Sequence, residues 1–242
     1  RDPGNRAATP LFALPEVEAL LREELGHLPP HAARQPAGRA LLLQPDAAAR
    51  VLPVDAGPLT ALRLHARGDA LAGDIVCAAR PLPIENEAFQ LVFAQHIGDV
   101  LPPDSGLLEE IARVLAPGGL LLWSGFNPWS PWLAWIHWHT RGGGAVPQTL
   151  NVDALRRRLI RSRLAPVAID YLGGHWPKAD GATLGDAAPS RVARLLSPLR
   201  GAYLLAARKQ RAVLTPLRPR LVRKSVALNP RLAGTPTHRA SA

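Results

Sequence analysis

Two apolar runs in this chain end in residues equipped for chemistry. Phe89 to Ala94 leads into Gln95 and His96, and Leu120 to Phe126 leads into Asn127, Pro128 and Trp129. An imidazole just past a buried strand is a candidate general base. The competing reading is that His96 caps the following turn through Asp99. Asn127 and Trp129 stand at the end of the second run, where they would face a substrate. Trp129, Trp132, Trp135 and Trp138 recur at every third residue, with His137 and His139 between them and Leu133 and Ile136 adding apolar area. Three readings of this segment compete: a lid over an apolar or aromatic substrate, an interfacial helix of the kind tryptophan favours at lipid headgroups, and a surface helix with its tryptophans in the core. Four tryptophans at a strand-end rim favour the lid, and Gly142-Gly143-Gly144 would let it move. His137 and His139 have no Asp, Glu or Cys beside them, so no metal site is expected. The chain has no P-loop, no Ser-His-Asp arrangement and no paired carboxylates at a likely site. Glu85 and Glu87 flank a turn.

The elements that must position these groups follow from periodicity and punctuation. Pro15 to Leu28 reads as a helix, with Pro15 in its first turn and Val17, Leu20, Leu21, Glu24 and Leu28 on one face. Pro29-Pro30 is expected to stop it. Strands are expected at 40–43, 62–65, 74–78, 89–94, 120–125, 166–171 and 201–207, the fourth apolar enough to be buried on both faces. A short helix is expected over 46–51. A clearer one spans 105–115, capped by Asp104 or Ser105, with Glu109 and Glu110 near its positive end. Asn151 caps a further helix to Arg163, whose arginines crowd the polar side. Strands alternating with helices make a doubly wound α/β fold, which binds ligands at the carboxyl ends of its strands.

At 242 residues the chain is long enough for one full core. The expected division is a disordered stretch 1–10, a domain over 11–212 and an irregular basic tail over 213–242. The formal charge of +10 comes mostly from the end of the chain: nine of the 29 basic residues, and none of the 19 acids, lie from Arg208 onward. The remainder carries 20 basic and 19 acidic residues, a net of +1. The tail could attach non-specifically to RNA, DNA or anionic lipid. Tyr203 is the last aromatic residue, which argues against base stacking there. Cys77 stands alone, which excludes a disulfide framework and suits a reducing cytosol. No run approaches the roughly 18 apolar residues of a membrane span. The chain begins at Arg1 and holds no Met, so a native start and any targeting segment are expected to lie outside it.

The seven strands, the Leu82-Pro83 turn leading to Phe89-Gln90-Leu91-Val92, and the Val114-Leu115-Ala116-Pro117-Gly118-Gly119 turn together resemble the class I S-adenosylmethionine-dependent methyltransferases, in particular the small-molecule kind known as methyltransferase type 11. Gly125-Phe126-Asn127-Pro128-Trp129 resembles one bacterial subgroup of them. The resemblance is good from about residue 74 to 130 and extends over 9 to 210. It implies a Rossmann-like seven-stranded sheet flanked by helices, with S-adenosylmethionine as cofactor. It sets Gln44, Asp46, Ala79, Leu82 and Gln95 around that cofactor, His96 at the reacting centre as the catalytic candidate, and Asn127, Trp129 and Trp132 toward the substrate. The chain departs from the family at three places. The loop after the first strand, Leu43-Gln44-Pro45-Asp46-Ala47-Ala48, has no glycine, and Pro45 removes a backbone donor. The end of the second strand, His65-Ala66-Arg67, has no carboxylate before Asp69, and Cys77-Ala78-Ala79-Arg80 lacks the acid expected for adenine.

The functional expectation is transfer of a methyl group to a small or lipophilic acceptor by a cytoplasmic enzyme. Methyl transfer to an acceptor that is already nucleophilic needs no base, and positioning then carries most of the rate. The alternative is a methyltransferase fold without catalysis that works as a binding module, its basic tail meeting anionic partners. A third reading is a peripheral membrane protein anchored by the tryptophans and the tail.

Overall fold

The computed structural model describes residues 10–141, 146–174, 176–177 and 196–210. Its strands are β1 (Gly38–Gln44), β2 (Leu59–Arg67), β3 (Ala70–Gly73), β4 (Cys77–Ala78), β5 (Phe89–Gln95), β6 (Leu115–Phe126), β7 (Leu164–Leu172) and β8 (Ala202–Lys209). Its α-helices are α1 (Pro15–Gly26), α2 (Leu28–Ala32), α3 (Ile97–Val100), α4 (Leu107–Val114), α5 (Pro131–Thr140) and α6 (Val152–Arg161). The expected boundaries 1–10 and 213–242, and the glycine run at 142–144, lie mostly or wholly outside the described residues.

All eight strands join one sheet in the order β4-β3-β2-β1-β5-β6-β8-β7. β2, β1, β5 and β6 run parallel, and β8 and β7 close that side antiparallel. The chain moves outward from β1 to β2 and then returns to β5 on the other side. The order therefore reverses between β1 and β5, and the switch point lies at the end of Gln44 and Gln95. This is where open α/β sheets take their ligands.

One face of the sheet buries Leu41, Leu43, Val92, Ala94 and Leu121 under α4 and α6, through Ile111, Val114, Leu155 and Leu159. The other buries Leu42, Phe93 and Leu122 under α1, α2 and α5, through Leu20, Leu21, Leu28, Trp132 and Ile136. Alternating residues of each central strand thus enter opposite cores, which explains their near-continuous apolar reading. Each fully buried leucine or phenylalanine contributes about 1.5–3 kcal/mol.

Several expectations need correction. There is an eighth strand: β3 folds back on β2, with Arg67 opposite Ala70 across the two-residue turn Gly68-Asp69. Gly68 takes φ +60°, which a glycine accepts without strain. The strand expected at 74–78 shrinks to β4, which pairs antiparallel with β3. Pro29 and Pro30 do not end the helical region. They occupy the first turn of α2, where a missing N–H costs nothing. The expected helix over 46–51 is a single 3-10 turn at Ala49–Val51. Gly106, at φ +72°, caps α4 rather than Asp104 or Ser105. Asn151 caps α6 as expected, accepting the Asp153 N–H at 2.9 Å.

Candidate functional site

The carboxyl ends of β5 and β6 meet α1 in a buried polar cluster. α1 presents Val17, Leu20, Leu21 and Leu25 to the core, and Glu24 lies in that same stripe with 0% exposure. A carboxylate so placed must find partners. Glu24 accepts hydrogen bonds from Gln95 Nε2 at 3.0 Å and Ser124 Oγ at 2.9 Å, and it meets His96 Nε2 at 2.9 Å. His96 Nδ1 lies 2.7 Å from Asp99 Oδ2, which also accepts the Phe126 N–H at 2.9 Å. His96 is itself fully buried, its ring 4.3 Å from that of Phe126 and 5.9 Å from Phe12, centroid to centroid.

The backbone is bent to make this cluster. His96 adopts φ +48°, a left-handed conformation uncommon outside glycine. It turns the chain from β5 into α3 and is held by His96 N–H to Ser124 O at 3.2 Å and Asp99 N–H to His96 O at 3.1 Å. Such outliers persist only where the surroundings impose them.

Electrostatics fix the charge state. Burial alone would lower the His96 pKa, but the Glu24 charge and the hydrogen bonds to Asp99 and Glu24 overcome it and push the pKa up to about 10. Burial raises the Asp99 pKa against the pull of His96. At neutral pH the imidazole is therefore a cation clamped between two carboxyl groups. Both ring nitrogens are engaged, and neither offers a lone pair for a proton. The position expected for a general base holds α1 onto the strand ends. The reading through Asp99 described part of this; Glu24 and Ser124 complete it.

The residues assigned to a cofactor divide into two groups. Ala79 and Leu82 are buried apolar side chains. Their loop is tied to α4: Glu110 accepts the Leu82 N–H at 2.8 Å, and Arg113 donates to Leu82 O and Ile84 O. Gln44, Asp46 and Gln95 spend their polar groups inside the protein. Gln44 Nε2 donates to Ala49 O at 2.8 Å, and Gln44 Oε1 accepts from Arg63 at 2.9 Å. Arg63 also donates to Leu52 O at 3.0 Å, closing the glycine-free loop on itself. Asp46 accepts the Ala49 N–H at 2.9 Å. Gln95 donates to Leu21 O at 2.9 Å as well as to Glu24. At the end of β2, opposite Gln44, stands His65. Its buried Nδ1 has no hydrogen-bond partner among the described residues.

The substrate candidates also separate. Asn127 is a bracket: its amide donates to Pro198 O at 2.6 Å and Arg200 O at 2.9 Å, its Oδ1 accepts the Trp129 N–H, and its own N–H meets Gly201 O. Trp132 is 2% exposed, donates to Gly174 O at 2.9 Å and lies against Gly201, where a Cβ would stand 2.7 Å from the indole. Trp129 and Trp138 are 71% and 67% exposed. The tryptophan segment is thus a helix with Trp132 in the core and Trp138 in solvent, preceded by the exposed Trp129. Ser130 caps it by accepting the Trp132 N–H at 3.2 Å. The structure brings Gln44, Gln95, His96 and the Asn127 turn to one end of the sheet, while Trp138 lies along α5.

Glu24 carried a sequence signal, an acid within an apolar helical stripe, but Ser124 carried none beyond its place in a strand. Among the described residues no group of three or more His, Cys, Asp or Glu side chains is arranged to hold a metal ion, and no helix is long and apolar enough to cross a membrane.

Comparison with known proteins supplies the context. Residues 37–123 match the model of a methyltransferase domain family. A geranyl diphosphate methyltransferase, solved with GPP and sinefungin, superposes with a TM-score of 0.51 at 14% identity, covering 77% of this chain and 78% of that one. A methyltransferase from Thermotoga maritima, described as a possible histamine N-methyltransferase, superposes with a TM-score of 0.50 at 13% identity, covering 82% and 93%. No curated protein matches the chain in sequence.

Proposed function

We propose that this chain transfers a methyl group from S-adenosylmethionine to a small or lipophilic acceptor, a reading supported by the match of residues 37–123 to a methyltransferase domain model and by the likeness of the sheet to that of solved methyltransferases. The observation that carries the reading is the family match spanning β1 to β6, with the switch point between Gln44 and Gln95 inside it. S-adenosylmethionine, when bound, supplies an electrophilic methyl group. The residues present fit part of that cofactor. Ala79 and Leu82, which the resemblance sets on the adenine side, are apolar and packed into the core. The ribose side ends in His65 and Arg67 without a carboxylate, and Gln44, Asp46 and Gln95 are engaged elsewhere. A missing charged hydrogen bond weakens binding by about 1.5–3 kcal/mol, roughly ten- to a hundredfold. The grip is therefore weak. His96 serves in this reading as a positioning residue that holds the strand ends, and an acceptor that needs no base suits it. The exposed indole of Trp129 beside the Asn127 turn supports a lipophilic acceptor.

A second reading is favoured by the buried Glu24–His96–Asp99 cluster, which fills the strand ends with the chain's own side chains. In it the fold persists without the cofactor and acts as a binding module, with the basic segment beyond Arg208 meeting anionic partners. Calorimetric titration with S-adenosylhomocysteine separates the two. Saturable heat supports methyl transfer, and silence at millimolar ligand supports the module.

A further inference from the structure

We propose that the rim around the Asn127 turn, together with the outer face of α5, docks on an anionic lipid bilayer. Three segments are joined at this end of the sheet. Asn127 binds Pro198 O and Arg200 O, Arg200 donates to Gly173 O at 2.7 Å and Tyr171 O at 3.2 Å, and Trp132 donates to Gly174 O. This anchoring makes a firm platform, and the platform displays apolar side chains to solvent. Trp129 is 71% exposed, Trp176 57% and Leu199 41%.

α5 extends the same character. Trp132, Ile136 and Thr140 face the core at i, i+4 spacing. Pro131, Ala134, His137, Trp138 and Arg141 are exposed on the opposite side, Trp138 at 67%. The Arg141 guanidinium lies over the Trp138 ring at 5.3 Å. Residues 127–141, 171–174, 176–177 and 196–201 contain no Asp or Glu, whereas His137, His139, Arg141 and Arg200 supply cationic or ionisable groups. The carboxylates beside these segments are Glu23 of α1, which accepts the Gly173 N–H at 3.2 Å, and the exposed Asp170, which precedes Tyr171.

Single exposed apolar residues are ordinary, but exposed tryptophans grouped with cations and with few acids are not. Tryptophan partitions to the headgroup boundary, and basic side chains are drawn to the negative surface of anionic lipid. The charge excludes an anion-poor surface as the preferred partner. The indoles distinguish the rim from a purely electrostatic contact. Docking here would also open the Trp129 side of the molecule toward lipophilic compounds, although the inference stands whether or not the chain transfers methyl groups.

The test is co-sedimentation of the full chain with vesicles of phosphatidylcholine alone and of phosphatidylcholine mixed with phosphatidylglycerol, read together with quenching of tryptophan emission by brominated lipid. The expected result is binding to the mixed vesicles with quenching, and about tenfold weaker partitioning for the W129S/W138S double variant. Because both side chains are exposed, the variant is expected to keep the thermal unfolding midpoint of the parent. Failure to bind the mixed vesicles would overturn the proposal. So would binding of unchanged strength in the double variant, which would assign attachment to the basic segment beyond Arg208.

Discussion

Glu24 Oε1 and His96 Nε2 lie 2.9 Å apart, 72 residues distant in the chain and both sealed from solvent. This pair ties the first helix to the end of the central strand, across the edge where a sheet of this class takes its ligand. Substituting Glu24 by Leu would leave a buried imidazolium facing Asp99 alone, orphan the Ser124 hydroxyl and leave Gln95 Nε2 with Leu21 O as its remaining strong acceptor. Loss of one partner from a buried pair costs about 3–5 kcal/mol. Glu24→Gln, which keeps an acceptor, should cost less. Urea unfolding of both variants checks the order, and equal midpoints in the two variants and the parent would contradict it.

The same pair sets a dependence on pH. The His96 pKa rises from 6.5 to about 10 on folding, so its contribution is complete below about pH 6.5 and is lost as the pH rises through 10. Asp99, also raised, acts with the same sign. Stability should therefore decline between pH 6.5 and 10 with a slope of up to ~1.4 kcal/mol per pH unit from His96. The slope should flatten in His96→Gln. A parent and variant with parallel pH profiles would remove the basis for a clamped cation.

Asn127 holds the turn after β6 to the segment before β8 through two donated hydrogen bonds. Asn127→Ala would remove two partly buried hydrogen bonds, at a cost of about 0.5–1.5 kcal/mol each. Because Arg200 and Gly201 are linked to Gly173 and Gly174, the variant should also raise hydrogen exchange at the Gly201 amide, which donates to Gly174 O. Unchanged exchange there would show that the bracket is not needed.

The end of β2 gives a constructive test of the cofactor reading. His65 stands opposite Gln44, at the strand end where the resemblance expects an acid. His65→Glu would supply a two-hydroxyl acceptor and should tighten S-adenosylhomocysteine about tenfold or more. Weaker or unchanged binding in calorimetry would mean that the ribose does not lie at this strand end.

Much of the sheet is legible in the sequence because β5 and β6 are buried on both faces and carry near-continuous apolar runs. β3 was not, since Ala70-Leu71-Ala72-Gly73 is short and poor in branched residues; only Gly68-Asp69 announced the hairpin. Pro29-Pro30 reads equally as a stop or as a first turn, and the apolar partners of Leu28 and Ala32 decide between them. At the site, Gln95 and His96 could be located as strand-end residues, but their partners could not. Glu24 looks like an interruption of an apolar stripe until the sheet brings Ser124 and His96 beneath it. Polar side chains satisfied across long sequence separations leave no local pattern. The same holds for Asn127, whose role depends on carbonyls more than seventy positions away.

The central claim, that this chain binds S-adenosylmethionine, is tested most directly by titrating S-adenosylhomocysteine into the full chain by calorimetry, with a thermal-shift titration beside it. The account predicts saturable heat with a dissociation constant in the micromolar range and an upward shift in unfolding temperature. No heat and no shift at millimolar ligand would contradict it and leave a methyltransferase fold whose strand ends are occupied by its own side chains.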